Sequence, residues 1–227
     1  MRDRETGTWW QQITGKALYG PLQGAALQLV LSDELTFGEW KSEVSDGKVL
    51  ADVKKDTKEY DSDWEPKIAK LPLVISFPGT ELQPRDVIVG LELDGASRAY
   101  PWNTLLKQSP VVDNIQGVPL LIAVGPDGKS VRIFKSRIDG KDAEFFLKGE
   151  SDTVPKEMET KGAETKAGPP ATKTWTLLDT ATASEWNFQG CAISGPSQGK
   201  CLARIPALKD YWFDWRNYHP NTSIYKR

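Results

Sequence analysis

The two ends of this 227-residue chain repeat each other. Asp3, Thr6, Trp10, Gly15, Ala17, Gly20, Pro21, Gly24, Leu27 and Trp40 recur in order as Asp179, Thr182, Trp186, Gly190, Ala192, Gly195, Pro196, Gly199, Leu202 and Trp215. The offset is 176 residues as far as Trp186 and 175 from Gly190 onward, so a single deletion aligns the copies. Conservative pairs fill the interval: Thr8 with Ser184, Leu18 with Ile193, Phe37 with Trp212 and Val49 with Ile224. The chain between them has no second copy, so the order is B, A, B′. A first half-repeat covers 1–52, a charged and Pro-rich connector 53–86, and a second repeat, A plus B′, 87–227. A leading A segment is expected of such a duplication and is not found in these residues. The predicted fold is mainly β (α+β), with two related β-rich lobes, each closed by a short helix.

Local patterns fill in this frame. Val87–Leu93 and Ala96–Pro101 flank Asp94-Gly95, a pair that tolerates the positive dihedrals of a tight hairpin turn. Trp102–Lys107 suits a short helix. Pro119–Val124 is continuously apolar and predicts a strand buried on both faces. Gly125-Pro126-Asp127-Gly128 turns the chain into the alternating strand Ser130–Phe134, and Asp139-Gly140 marks another turn. Residues 150–173 hold Lys, Glu, Thr, Gly and Pro with almost nothing apolar, which predicts a mobile loop between adjacent strands at 145–147 and 174–178. Thr36-Phe37-Gly38-Glu39 fits a capping box, and Pro206-Ala207-Leu208-Lys209 suits entry into the second helix.

Charge and hydropathy exclude several functions. Twenty-nine basic residues against 31 acidic ones leave no basic stripe, so nucleic acid is excluded as a partner. No apolar run approaches the roughly 20 residues of a membrane span. No secretory signal precedes Arg2-Asp3-Arg4, and the chain starts inside the first repeat.

Cys191 and Cys201 flank a Gly-Pro-Gly stretch that would place them on facing strands of a hairpin. Their equivalents in the first copy are Lys16 and Ala26, so the two cysteines came or went together. Either a disulfide or two unpaired thiols fits the sequence. A bridge would contribute about 2 to 3 kcal/mol and imply an oxidising compartment.

Supply limits the chemistry. One histidine and two cysteines cannot close a zinc site without carboxylates, and His219, in His-Pro-Asn-Thr, reads as the end of a helix. Ser-His-Asp and Cys-His arrangements lack their parts, and Gly20-Pro21-Leu22-Gln23-Gly24 lacks the Lys-Ser/Thr of a phosphate loop. Carboxylates remain. Asp3 and Asp179 share the frame Asp-x-x-Thr-x-Thr/Ser-x-Trp, which reads as a turn whose carboxylate takes backbone amides, with a general base or calcium ligand as the alternative. Asp113, followed by Asn114, is a third candidate and also reads as a turn residue. No cofactor is expected, although a divalent cation on carboxylates stays open. Nine tryptophans are many for this length. Trp10, Trp186 and Trp215 fall at repeat-matched positions and read as core, whereas Trp9, Trp40 and Trp102 are candidates for a sugar-stacking surface, with Trp64 and Trp175 as further members.

The string Arg4–Gly15, with Ala17-Leu18 and Gly20-Pro21-Leu22, resembles the hallmark of a prokaryotic family, domain of unknown function 3179. Val89–Glu92, Ala99–Pro101, Asp113–Pro119 and Trp212–Trp215 with His219–Thr222 resemble it as well. The resemblance implies a further N-terminal A segment with a Cys-Pro-x-x-Cys-like motif preceded by histidine, and frequent export. This chain has Gly125-Pro126-Asp127-Gly128 and about Gln108 at those places, so any thiol or metal site of the family is not carried by its residues. The expected function is a non-catalytic, extracytoplasmic (periplasmic or secreted) binding or scaffolding module. The alternatives are a hydrolase using Asp/Glu or a bound divalent cation in a cleft between lobes, and a Trp-lined carbohydrate surface. A small molecule or saccharide is the expected ligand class, and pairing of exposed strand edges would give a dimer.

Overall fold

The computed structural model describes residues 1–28, 30–54, 57, 61, 63–75, 77, 81–148 and 175–226. The loop expected at 150–173 lies outside them. The first segment holds β1 (Trp9–Trp10), β2 (Ala17–Tyr19) and α1 (Phe37–Glu43), followed by α2 (Trp64–Ile68). Next come β3 (Val87–Leu93), β4 (Ala96–Pro101), α3 (Trp102–Gln108), β5 (Val111–Ile115), β6 (Val118–Val124) and β7 (Val131–Lys135). Short strands β8 (Arg137–Ile138), β9 (Lys141–Asp142) and β10 (Phe145–Leu147) precede β11 (Leu177–Asp179), β12 (Glu185–Trp186), β13 (Ala192–Ser194) and β14 (Arg204–Ile205). The chain ends with β15 (Leu208–Tyr211), α4 (Trp212–Tyr218) and β16 (Ser223–Ile224). The protein is mainly β.

Three four-stranded sheets carry the structure, in the orders β15-β3-β4-β16, β14-β7-β6-β5 and β10-β11-β12-β13. All pairings are antiparallel except β16 on β4. The sequence of β6 explains how they stack. Leu120, Ile122 and Val124 point into a core shared with Val89, Leu91 and Tyr100, while Leu121 and Ala123 join Phe134, Phe145, Leu177 and Trp186 on the other face. A strand buried on both sides cannot alternate with polar residues, hence the unbroken apolar run. On the outside of β3 and β4, Ile88 and Ala99 receive Trp212 and Trp215 of α4. Burial on both faces also explains the glycine in β3: a Cβ on Gly90 would lie 2.4 Å from Cε3 of Trp215.

The turns follow the expected chemistry. Asp94 and Gly95 both have positive φ, as do Asp139 and Gly140. Two expectations need correction. Leu208–Tyr211 is not a helix entry but a strand, because it extends the sheet by pairing with Gly90–Val87, and α4 starts only at Trp212. The capping box at Thr36 is half formed: its hydroxyl oxygen accepts the Glu39 amide at 3.2 Å, but its own amide donates to Ser130 Oγ at 3.2 Å rather than to Glu39. That exchange ties α1 to the turn before β7.

Gly90→Ala is expected to destabilise the protein by about 2 kcal/mol, the overpacking cost of a methyl forced against an immobile indole. Chemical denaturation monitored by tryptophan fluorescence measures it.

Candidate functional site

Two similar Asp-x-x-Thr turns, at residues 3–8 and 179–184, are built around carboxylates. Asp179 accepts hydrogen bonds from the Thr182 amide and hydroxyl, the Ser184 amide (3.0 Å) and the Trp186 indole Nε1 (2.8 Å). Asp3 does the same with the Thr6 amide and hydroxyl, the Thr8 amide (3.2 Å) and the Trp10 indole (2.8 Å), and adds the Gly7 amide. For Asp3 the indole and then the Thr6 amide hold the carboxyl far below the usual carboxylate range. For Asp179 burial pushes the other way, but the indole, hydroxyl and amide donors outweigh it and lower the pKa. A carboxylate so lowered is a poor proton acceptor, and its lone pairs are already engaged.

The similarity continues past the aspartates. A Cβ on Gly20 would lie 2.8 Å from Thr8 Cα, and one on Gly195 2.8 Å from Ser184 Cα, so each glycine admits the preceding strand at van der Waals limit. Lys16 bridges Ala26 where Cys191 bridges Cys201, and the two cysteines are bonded to each other.

Asp113 lies within β5 rather than in the turn expected of it. Its Oδ2 accepts from Arg98 Nη1 at 2.6 Å and from the buried Tyr100 hydroxyl at 2.7 Å. Burial, then the neighbouring Asp113, pushes the Tyr100 phenol well above its usual value. The turn function falls instead to Asn114, whose Oδ1 accepts the Gly117 amide. His219 closes α4: its Nδ1 is 3.1 Å from the Trp215 carbonyl, its ring stacks on Trp215 at 3.7 Å, and its Nε2 is 3.3 Å from Glu92.

The candidate tryptophans do not converge. Trp40 packs over Gly47 and Phe37, and Trp102 lies under Lys209 with Nζ 3.9 Å from the ring centre. Trp9, 52% exposed, lines a cleft of about 550 Å³ between the β1–β2 hairpin and α4. Gln12, Tyr19, Asp214 and Tyr218 share its walls. Tyr19 and Tyr218 are exposed there, offering aromatic surface on both sides.

Sequence reading missed two charged groups that are partly or fully buried, Asp210 and Arg132. Asp210 stands four residues before Asp214, at the strand-to-helix junction. Burial raises its carboxyl to about 6; the Tyr211 amide opposes this, and Asp214 and Glu34 add to it. Its Oδ2 is buried without a donor. Arg132 was equally hidden: its side chain, 3% exposed, joins Glu43 and Asp33, and Arg204 also binds Asp33. Asp127 beside it accepts from Thr36 and Ser130, and these bonds outweigh burial to hold it at about 2. Only spacing hinted at Asp210, and nothing local marks Arg132.

Among the described residues no group of three or more His, Cys, Asp or Glu side chains is arranged to hold a metal ion. No helix among them is long and apolar enough to cross a membrane. The fold is thus a β-rich protein with carboxylate-centred Asp-x-x-Thr turns and an aromatic cleft. The chain belongs to the family described as "Protein of unknown function (DUF3179)", whose model matches residues 1–222. Comparison with curated proteins and with solved structures gives no match.

Asp179→Ala should cost about 3 kcal/mol or more, since it strands the buried Trp186 and Ser184 N–H groups; equilibrium unfolding reads the loss. Asp210 acts in the opposite sense. A carboxyl with a raised folded pKa contributes most at acid pH, and that contribution is lost as pH rises from about 4 through about 6. Asp210→Asn is therefore expected to raise the melting temperature at pH 7.5, with the gain vanishing near pH 4.

Proposed function

We propose that the protein is a non-catalytic binding module whose cleft between the β1–β2 hairpin and α4 receives a neutral, ring-bearing ligand of the saccharide class. The cleft itself carries this reading: about 550 Å³, with Trp9, Tyr19 and Tyr218 presenting aromatic surface and Gln12 an amide. That volume is within the range of small-molecule sites, and flat apolar faces beside amides suit sugar rings. The saturated carboxylates of Asp3 and Asp179 support a structural role for both.

The module reads as a duplication, supported by equivalent hairpins and by helices α1 and α4 whose ends are both offset by 175 residues. An extracytoplasmic location is the natural companion, supported by the Cys191–Cys201 bridge, since such bridges persist in oxidising compartments.

One observation favours hydrolysis as a second reading. Asp214 lines the cleft, and burial, with Asp214 beside it, raises the carboxyl of Asp210 to about 6, which suits a proton donor.

Titration of the protein with a panel of soluble oligosaccharides, followed by intrinsic fluorescence and thermal shift, tests both. Binding is expected, with at least a tenfold loss in Trp9→Ala and none of the sugar cleaved. Cleavage that disappears in Asp214→Asn while binding persists would establish the hydrolase instead. Absence of any shift across the panel contradicts the saccharide reading.

A further inference from the structure

The disulfide between Cys191 and Cys201 closes a hairpin that its backbone already holds. The Ala192 amide donates to the Lys200 carbonyl at 2.8 Å, Gly199 to Ala192 at 3.0 Å and Leu202 to Gly190 at 2.9 Å. The hairpin at residues 11–27 has the same three bonds: Ala17 to Ala25 at 2.9 Å, Gly24 to Ala17 at 3.3 Å and Leu27 to Gly15 at 2.9 Å. There the two facing positions hold Lys16 and Ala26, which no covalent bond can join. The same main-chain ladder therefore forms with and without a bridge.

Packing holds the bridged hairpin as well. Ala192 and Leu202 are each 5% exposed and belong to the core around Phe134 and Trp186. The Cys191 amide donates to Asn187 Oδ1 at 3.0 Å. With ladder and core contacts in place, the hairpin keeps its shape without covalent closure. The bridge itself lies towards solvent, with Cys201 exposed and Cys191 half-buried. Thiol–disulfide exchange requires a thiolate to reach one of the two sulfurs, so access selects which bridges react and at which end. Here the accessible end is Cys201.

We propose that the Cys191–Cys201 bridge is a thiol–disulfide exchange site, at which a small cysteine-containing thiol is taken up reversibly on Cys201. The thiolate of the small molecule attacks Sγ of Cys201. A new S–S bond forms there as the Cys191–Cys201 bond breaks, and the electron pair leaves on Cys191. Cys191 then takes up a proton, balancing the one that the small thiol released, so the step is a substitution with no net oxidation. Attack by Cys191 on the mixed disulfide reverses it. A second small thiol instead displaces the first as a small-molecule disulfide and leaves both cysteines reduced, the two electrons coming from the two thiols. The ladder and core contacts persist throughout, so the site opens while the fold stays closed. This chemistry is independent of the ligand taken by the cleft, and failure of saccharide binding leaves it standing.

The test incubates the whole native chain with excess reduced glutathione, quenches early with iodoacetamide and weighs the tryptic peptides. Cleavage after Lys200 and Arg204 separates the two cysteines into peptides 174–200 and 201–204. The expected product carries glutathione on 201–204 and the alkyl group on 174–200. Gly90→Ala, which raises the unfolded population, is expected to leave the rate within about twofold, whereas exchange through unfolding would be faster by about tenfold or more. In the double variant Cys191→Ser, Cys201→Ser, the amides of Ala192, Gly199 and Leu202 should still exchange slowly with solvent. Rapid exchange at those amides overturns the proposal in favour of a structural staple. So does a bridge that opens only in denaturant, a rate that follows the Gly90→Ala destabilisation, or glutathione carried on 174–200.

Discussion

Each of the two Asp-x-x-Thr turns in this protein depends on one ionised carboxylate. Asp3 and Asp179 gather amide, hydroxyl and indole donors that would otherwise be left without partners in a turn too tight to pair them along a strand. Because the indole donor sits on the returning strand, the carboxylate also fixes where Trp10 and Trp186 enter the interior, and Trp186 then forms part of the middle core with Phe145, Leu177 and Phe134. Turn geometry and core packing are thereby linked through a single charge. The glycine that follows each turn completes the arrangement by admitting the strand beneath it.

A second charge joins residues 33–43 to the rest. Arg132 is withdrawn from solvent on β7, with Phe188 against its guanidinium at 4.6 Å and Asp33 and Glu43 neutralising it. A buried arginine without those partners would carry a heavy desolvation cost, so the position of 33–43 is strongly specified even though the segment forms no strand. The cleft lies where the β1–β2 hairpin of this anchored unit meets α4. Its shape therefore derives from the β1–β2 hairpin and α4 together.

Much of this was legible from the residues. The shared frame of Asp3 and Asp179 pointed to turns in which the carboxylate takes backbone amides, Asp94-Gly95 and Asp139-Gly140 marked their turns, and the unbroken apolar run of β6 marked its place between two cores. What the residues concealed has a common physical origin. Asp210, Arg132 and the lining of the cleft are defined by contacts across long stretches of sequence, such as the 99 residues between Asp33 and Arg132. Leu208–Tyr211 became a strand because the edge of β3 was available to it, a fact its own composition does not contain. Likewise Trp40 and Trp102 look like Trp9 in the sequence, and only packing separates the exposed ring from those lying over Gly47 or under Lys209.

The central claim is that the repeated aspartates are ionised structural acceptors rather than acids or bases in waiting. A carbon-detected NMR titration of the Asp3 and Asp179 side-chain carboxyls, followed from pH 7 to pH 2, tests it most directly. Both carboxyls should remain ionised down through the ordinary aspartate pKa of about 3.9 and protonate only below it. The indole N–H signals of Trp10 and Trp186 should stay unmoved over the same interval. A midpoint near 4 or above at either residue, with its indole signal shifting in step, would contradict the account and return that aspartate to the list of reactive groups.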